Sequence, residues 1–288
     1  MTNRLRDLVA GGGLASVMSA HNPLSARLAE EAGFDGVWAS GFELSAAYGV
    51  PDASLLSWSQ HLDMTRAMAE AVGVPVVADL DTGSGNALNV LHILARYCAA
   101  GVGAVVIEDK TFPKETSLLA GARQELVRVE EFLGKLAAAR AAIGESDVLL
   151  LARTEALIAD LGEDEARRRA AAYAEAGADL ILVHSKQKTP DEIVQFARGW
   201  SGPVRLAIVP TAYPQLTEEK IRALPQIGMV IYGNHAIRAA VAAMRAVFAE
   251  IRRDGGIAGI EGRIASVEDI FELQRVPAMK RAEKDYLR

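Results

Sequence analysis

The ten residues Glu108 to Ser117, E-D-K-T-F-P-K-E-T-S, hold the densest run of potential chemistry in the chain. Two carboxylates, Glu108 and Asp109, follow directly on the strand-forming run Ala104 to Ile107, and two lysines, Lys110 and Lys114, come after them. Pro113 stops a helix from running through them. Acids suited to a hard metal ion thus stand beside mobile cations suited to an anionic substrate. The pairing predicts a metal-assisted enzyme acting on a small phosphorylated or carboxylated molecule.

Asp79-Leu80-Asp81 is the second such feature. On a strand, alternate residues share a face, so both carboxylates point the same way, and they repel unless a cation lies between them. With Glu108 from the next strand they form an all-oxygen set, which suits Mg²⁺ or Mn²⁺ better than zinc. The plainer alternative is a solvated Asp-x-Asp turn ahead of Gly83-Ser84-Gly85. Those glycines lack the spacing of a phosphate-binding loop, and Gly11-Gly12-Gly13 follows no strand, so no nucleotide cofactor is expected. Trp38-Ala39-Ser40-Gly41-Phe42 closes another apolar run in a small-residue turn. Such a turn can aim successive N–H groups at one oxygen, though an ordinary strand exit reads equally well. Of five histidines, His184 is the best functional candidate because it closes an apolar run. His61 and His92 fall in helical stretches and read as structural; His21 and His235 stay open. Cys98 is the sole cysteine, among apolar helix neighbours, which excludes an internal disulfide and a cysteine metal cage.

These residues need elements to hold them, and one junction recurs. Ala-Gly at 32–33, 100–101 and 176–177 precedes an apolar run each time, the mark of a helix closed by a left-handed glycine and followed by a strand. Eight short apolar runs occur, at 14–18, 36–40, 75–79, 103–108, 148–153, 179–184, 204–209 and 228–232. They show little polar alternation, as buried parallel strands do. Helical stretches separate them: Ser57 with Gln60 predicts a capping box, and Thr189-Pro190-Asp191-Glu192 an N-cap, an N1 proline and first-turn acids. The pattern predicts a (β/α)8 TIM-type barrel, with an open doubly wound sheet as the alternative. The runs end on Ser40, Asp79, Asp81, Glu108, Asp109, Arg153 and His184, which a barrel would gather at one mouth. The chain reads as a single barrel domain, with its core over about 1–234 and a helical tail over about 235–288. In that tail Ala236 to Arg253 predicts a long helix broken by Gly255-Gly256, and Ser266 with Asp269 a last helix through Gln274.

A length of 288 residues, half of them hydrophobic, supports a sizeable core. The net charge of −6 argues against a nucleic-acid or anionic-membrane surface, so an anionic ligand must be held by local charge. No apolar run approaches the ~18 residues of a spanning helix, and the first residues lack a signal peptide's apolar core; a cytoplasmic protein is expected.

The stretches S-x-x-x-A-H-N-P-L-S-A, G-F-E-L-S-A, V-P-D-A, A-D-L-D-T-G, E-D-K-T-F-P-K-E-T-S, H-S-K-Q-K-T-P-D-E-I, V-P-T-A-Y-P and Y-G-N-H-A-I-R-A-A together resemble the phosphoenolpyruvate mutase/isocitrate lyase superfamily over nearly the whole chain. The E-D-K-x-F-P-K segment resembles its phosphonopyruvate-handling branch. The resemblance implies Asp79 as the direct Mg²⁺ ligand, Asp81 and Glu108 as ligands through water, and Mn²⁺ or Co²⁺ as substitutes. It implies Asp52 beside metal and substrate, Trp38 packed on the substrate, and Ser40, Gly41 and Phe42 on its carboxylate and carbonyl oxygens. Arg153 and His184 would grip a phosphoryl group, and Lys114, Thr116 and Ser117 would ride on a loop that closes over the site. It further implies a homo-oligomer, a dimer of dimers with the C-terminal helix swapped between subunits.

Lyases of this superfamily carry a K-K-C-G-H type loop with an acid cysteine; this chain has E-D-K-T-F-P-K there, against isocitrate-type cleavage. The mutase has asparagine where this chain has Thr116. The resemblance therefore implies Mg²⁺-dependent hydrolysis of the carbon–phosphorus bond of phosphonopyruvate to pyruvate and phosphate, through a metal-stabilised pyruvate enolate. The alternative is interconversion of phosphoenolpyruvate and phosphonopyruvate. Carbon–carbon cleavage of an oxaloacetate-like diacid lies further off.

Overall fold

The computed structural model describes residues 4–287. Eight parallel strands close into a barrel, each paired with its sequence neighbour and the last with the first. They are β1 (Ala15–Ala20), β2 (Gly36–Ala39), β3 (Val76–Asp79), β4 (Ala104–Glu108), β5 (Leu149–Thr154), β6 (Leu180–Val183), β7 (Arg205–Ile208) and β8 (Ile227–Tyr232). All eight coincide with the apolar runs to within two residues, and the open-sheet alternative falls.

The two-residue period of these strands divides the core. Ala104 and Val106 of β4, Leu149 and Leu151 of β5, and Leu180 and Leu182 of β6 pack together inside the barrel. Their neighbours Val105, Ile107, Leu150, Ala152, Ile181 and Val183 pack outward against helix residues such as Leu94, Phe132 and Tyr173. Parity then places the strand ends. Trp38, Asp79, Glu108, Arg153 and His184 all fall in the inward register, at the C-terminal rim. Leu5, on the helix Arg4–Ala10, packs into the inner cluster.

Each Ala-Gly junction ends a helix with a left-handed glycine, at φ 87° for Gly33, 80° for Gly101 and 95° for Gly177. Ser57 and Gln60 form the expected capping box on the helix Trp58–Ala71. Thr189 does not cap the helix Asp191–Arg198: Pro190 occupies the N-cap position, and the Thr189 hydroxyl donates to the Asp191 carboxylate at 2.8 Å instead. The long helix His235–Asp254 stops where Gly255 turns left-handed. Ser266 and Asp269 form a capping box on the helix Val267–Leu273, but that helix is not the last. Arg275, at φ 59°, leads into the helix Val276–Tyr286, whose first turn tolerates Pro277. The chain divides into two compact units, one ending at Ile237 and one beginning at Arg238. No helix among the described residues is long and apolar enough to cross a membrane.

Candidate active site

The acids at the barrel mouth meet through a sharper turn than a strand would give. β3 ends at Asp79, and Asp81 lies beyond it at φ 50°, so the shared-face argument does not apply to this pair. Short bonds bring them together all the same. Asp79 accepts the Asp81 N–H at 3.3 Å, and the Glu108 N–H donates to the Asp81 carbonyl at 2.7 Å. From behind, the buried ammonium of Lys135 donates to the Thr82 carbonyl at 3.0 Å and pins the turn. Both carboxylates crowd Gly41, where a Cβ would sit 2.9 Å from Asp81 Oδ1 and 3.5 Å from Asp79 Oδ2. A side chain at that position would push the Asp81 carboxylate aside.

Lys114 reaches these acids from the segment after β4. Its Nζ donates to Asp52 Oδ2 at 3.0 Å and lies 2.6 Å from Asp81 Oδ1, an ion contact without hydrogen-bond geometry. Burial opposes its charge, but Asp81 and Asp52 outweigh burial and hold the ammonium well above its usual range. Burial also pushes the Asp81 carboxyl well up despite Lys114, and the Glu108 carboxyl up despite Arg153. Glu108 Oε1 is buried without a partner. Carboxyls raised by burial, with an orphaned oxygen among them, are the electrostatic signature of a place for a cation, and an all-oxygen set fits Mg²⁺. No group of three or more His, Cys, Asp or Glu side chains among the described residues could hold a metal ion by itself. One direct ligand with two acting through water does not call for such a group.

Across the mouth lies a wall built around Arg153. A cavity of about 170 Å³ is lined by Asp52, Asp79 and Lys114 on one side and by Thr116, Ser117, Arg153 and His184 on the other. Trp38, Ser40 and Phe42 also line it. Gly41 and Asp81 open instead onto a small adjoining cavity shared with Asp79. Glu108 lines neither; its Oε2 lies 3.3 Å from Arg153 Nε. The candidate residues thus converge, with one change of duty. The Gly41 N–H donates to Asp79 Oδ2 at 3.2 Å rather than into the larger cavity.

The state of His184 follows from its neighbours. Arg153 Nη2 lies 2.9 Å from His184 Nδ1, and a guanidinium can only donate. Nδ1 is therefore the acceptor, and the proton of the neutral ring sits on Nε2, which is buried without a protein partner. Burial first, then Arg153, lowers the His184 pKa, which favours this neutral form. Glu155 Oε1, 3.3 Å from the same Nδ1, then acts on the ring through the shared Arg153.

Three sequence expectations change. Asp109, next to Glu108, has the opposite parity and leaves the barrel: its carboxylate accepts from Tyr173, Thr154 and Arg169 at 2.8, 3.1 and 3.2 Å. Lys110 is no mobile substrate cation but fully buried, donating to the Glu115 carbonyl and the Ser117 hydroxyl at 2.8 and 2.9 Å. Glu155, which sequence reasoning passed over, stands behind the cavity wall, bonded to Arg153 and Ser117 and 3.3 Å from His184 Nδ1. Its position two residues after Arg153 is the signal that was available. Val209, Thr211, Ile231, Gly233 and Asn234 complete the cavity from the ends of β7 and β8, and the V-P-T and Y-G-N stretches pointed there without a role. His61, on the helix Trp58–Ala71, meets the Tyr97 hydroxyl through Nδ1 at 2.9 Å and lines the small cavity with Asp79 and Asp81; burial lowers its pKa to about 4.

A closed parallel barrel with a carboxylate cluster facing an Arg–His pair across one small cavity defines a barrel enzyme for a small, multiply anionic substrate. The chain belongs to the phosphoenolpyruvate phosphomutase family, whose model matches residues 5–252. Phosphonopyruvate hydrolase of Variovorax sp. (strain Pal2) is 60% identical over 284 residues, covering 99% of this chain and 98% of that protein. The crystal structure of a phosphonopyruvate hydrolase complex with oxalate and Mg²⁺ superposes with a TM-score of 0.95 at 57% identity, covering 100% of both chains. The phosphoenolpyruvate phosphomutase of Streptomyces platensis subsp. rosaceus superposes with a TM-score of 0.96 at 46% identity, covering 99% of both chains.

Proposed function

We propose that this chain hydrolyses the carbon–phosphorus bond of phosphonopyruvate to pyruvate and phosphate, with Mg²⁺. One observation carries the reading: a hydroxyl, Thr116, lines the same cavity as Arg153, His184 and Asp79. The likeness to the Variovorax hydrolase supports it. Asp79, with Asp81 and Glu108, would hold Mg²⁺, which supplies a Lewis acid for charge developing on the substrate's oxygens.

The protein's own groups do the rest. Trp38 packs on the substrate, and Ser40 with the Phe42 N–H binds its carboxylate end. Cleavage leaves an electron pair on carbon, which the neighbouring carbonyl delocalises as the enolate of pyruvate; the enolate carbon then takes up the proton that the attacking water releases, giving pyruvate beside phosphate. Arg153 and His184 Nε2–H hold the phosphoryl oxygens through a loose transition state whose demands are mainly positional. Because Nδ1 is occupied by Arg153, His184 serves as a donor and not as the base for water. Lys114 and Asp52 close the carboxylate side. The Thr116 hydroxyl directs the phosphoryl group to water, by aligning the water or by taking the group first.

The deciding experiment is ³¹P NMR of phosphonopyruvate with the pure protein and Mg²⁺. Inorganic phosphate is expected, with pyruvate alongside; a phosphoenolpyruvate signal would mean a mutase, and an unchanged phosphonate would remove the reading. Thr116→Asn is expected to suppress phosphate release at least ~10-fold, the usual span of a lost group in proton or acceptor positioning being 10²–10⁴-fold. A variant as fast as the parent would take acceptor control away from this position. Oxalate with Mg²⁺ is expected to raise the melting temperature by several degrees, and oxalate with EDTA not at all. Equal shifts in both conditions would mean that oxalate binds without the metal.

The reading also takes the enzyme as cytoplasmic and as a homo-oligomer, a dimer of dimers. Exposed Met244, Phe248, Phe271 and Met279 support self-association. A monomer mass by sedimentation would end that part of it.

A further inference from the structure

We infer that Glu155 is the positioning residue of the phosphoryl site, the carboxylate that sets Arg153, His184 and Ser117 in one geometry. It leaves β5 two residues after Arg153 and is fully buried. Its Oε1 accepts from Arg153 Nε at 2.5 Å, and its Oε2 accepts from the Ser117 hydroxyl at 2.5 Å. Arg153 in turn reaches Ser117 and His184 through Nη2, at 3.1 and 2.9 Å. Lys110, 3.4 Å from Oε2, donates to the same Ser117 hydroxyl and to the Glu115 carbonyl. One carboxylate therefore joins β5, the end of β6 and the segment that carries Thr116.

Its chemistry suits the task and excludes a more direct one. Burial opposes its charge, but Arg153, bonded to it at 2.5 Å, foremost outweighs burial and holds Glu155 well below the usual carboxylate range, so it stays ionised. It does not line the cavity, so it acts through the groups that do. It is itself held from behind: the Glu155 N–H donates to Asp109 Oδ1 at 2.9 Å, while Tyr173 and Arg169 fix the other Asp109 oxygen. Asp109, turned away from the mouth, thereby gains a role, as the brace of the brace. The guanidinium fork is aimed before the phosphoryl group arrives, and the segment bearing Thr116 is tied to the same anchor.

The assignment takes its substrate from the phosphonopyruvate reading, and binding measurements separate the two. The probes are phosphonopyruvate for turnover, inorganic phosphate for the phosphoryl side and Mg²⁺ with oxalate for the carboxylate side. Glu155→Gln keeps the shape and removes the charge. A displacement of the gripping groups by ~1 Å costs about 100-fold in rate, so kcat/KM is expected to fall about that much, mostly in kcat. The phosphate Kd is expected to rise at least ~10-fold, while the oxalate Kd stays within about twofold, because only the first ligand uses the Arg153 wall. Glu155→Asp, which keeps the buried charge and so the fold, is expected to show the same selective loss at a smaller size.

Phosphate binding left intact would overturn the assignment, as would oxalate weakened as much as phosphate, the mark of a purely structural residue. Should the parent bind phosphate yet leave phosphonopyruvate untouched, the substrate reading fails and the phosphate-to-oxalate contrast still decides Glu155.

Discussion

Asp79→Ala is expected to abolish turnover of phosphonopyruvate, by at least ~10³-fold at saturating Mg²⁺. Among the described residues, Asp79 is the one acid that both ends a strand in the inward register and lines the cavity shared with Arg153 and His184. It also orders its surroundings, accepting the Gly41 and Asp81 N–H groups. Losing the ion it holds removes Lewis-acid stabilisation worth several kcal/mol, and each ~1.4 kcal/mol is tenfold in rate. Asp79→Asn removes the charge at nearly unchanged volume, although its single amide oxygen can keep only one of those two N–H bonds, which Asp79 accepts on different oxygens. It is expected to fold like the parent and to be nearly as inactive as the alanine variant. Substantial turnover by either, at saturating Mg²⁺, would take Asp79 out of the metal site.

Arg153→Lys is expected to lower kcat/KM by about 10³-fold while leaving Mg²⁺-oxalate binding near that of the parent. The charge survives this change; the fork does not. Arg153 uses Nε toward Glu155 and Glu108, at 2.5 and 3.3 Å, and Nη2 toward Ser117 and His184, at 3.1 and 2.9 Å. An ammonium on a flexible stem cannot meet four groups in one plane, nor present a second edge to a phosphoryl group. It would also release His184 Nδ1 and with it the tautomer that keeps the proton on Nε2. Lysine is the informative variant because Arg153→Ala would leave Glu108 and Glu155 buried against less positive charge, and breaking such pairs costs about 3–5 kcal/mol of stability. Steady-state kinetics with an oxalate titration would test it. A lysine variant within tenfold of the parent would mean that charge alone serves the phosphoryl group.

Much of the barrel is written in short-range signals. Each strand is a run of apolar residues with no polar alternation, each of the three Ala-Gly junctions marks where a helix must turn left-handed, and Ser57 and Ser266 announce helix starts three residues ahead of Gln60 and Asp269. These signals act over a few residues, so they survive in a single sequence. They also mark where each strand ends, which put Asp79, Glu108, Arg153 and His184 at the barrel mouth before any contact was known; the face each one takes came with the barrel itself. The metal-side acids, the Arg–His pair and the hydroxyl at Thr116 were legible for that reason, with the family resemblance assigning their expected roles.

What failed was local extrapolation past a strand end. Asp81 was placed by strand alternation, but the chain leaves β3 after Asp79 and turns left-handed at Asp81. Asp109 and Lys110 looked like active-site groups because they adjoin Glu108, yet one residue of register sends Asp109 out to Tyr173 and Arg169, 64 and 60 residues on. Lys110 is drawn under Ser117 and Glu155 by a buried carboxylate 45 positions away in the chain. Glu155 itself had only its spacing from Arg153 to recommend it.

The sequence alone determined the strand count and the types of group gathered at the rim, since these depend on signals within each element. Tertiary structure alone decided which of those groups face one another, which are spent as braces, and that His184 presents Nε2–H. Those outcomes depend on closure of the barrel, which brings charges tens of residues apart into a buried space where each must find a partner.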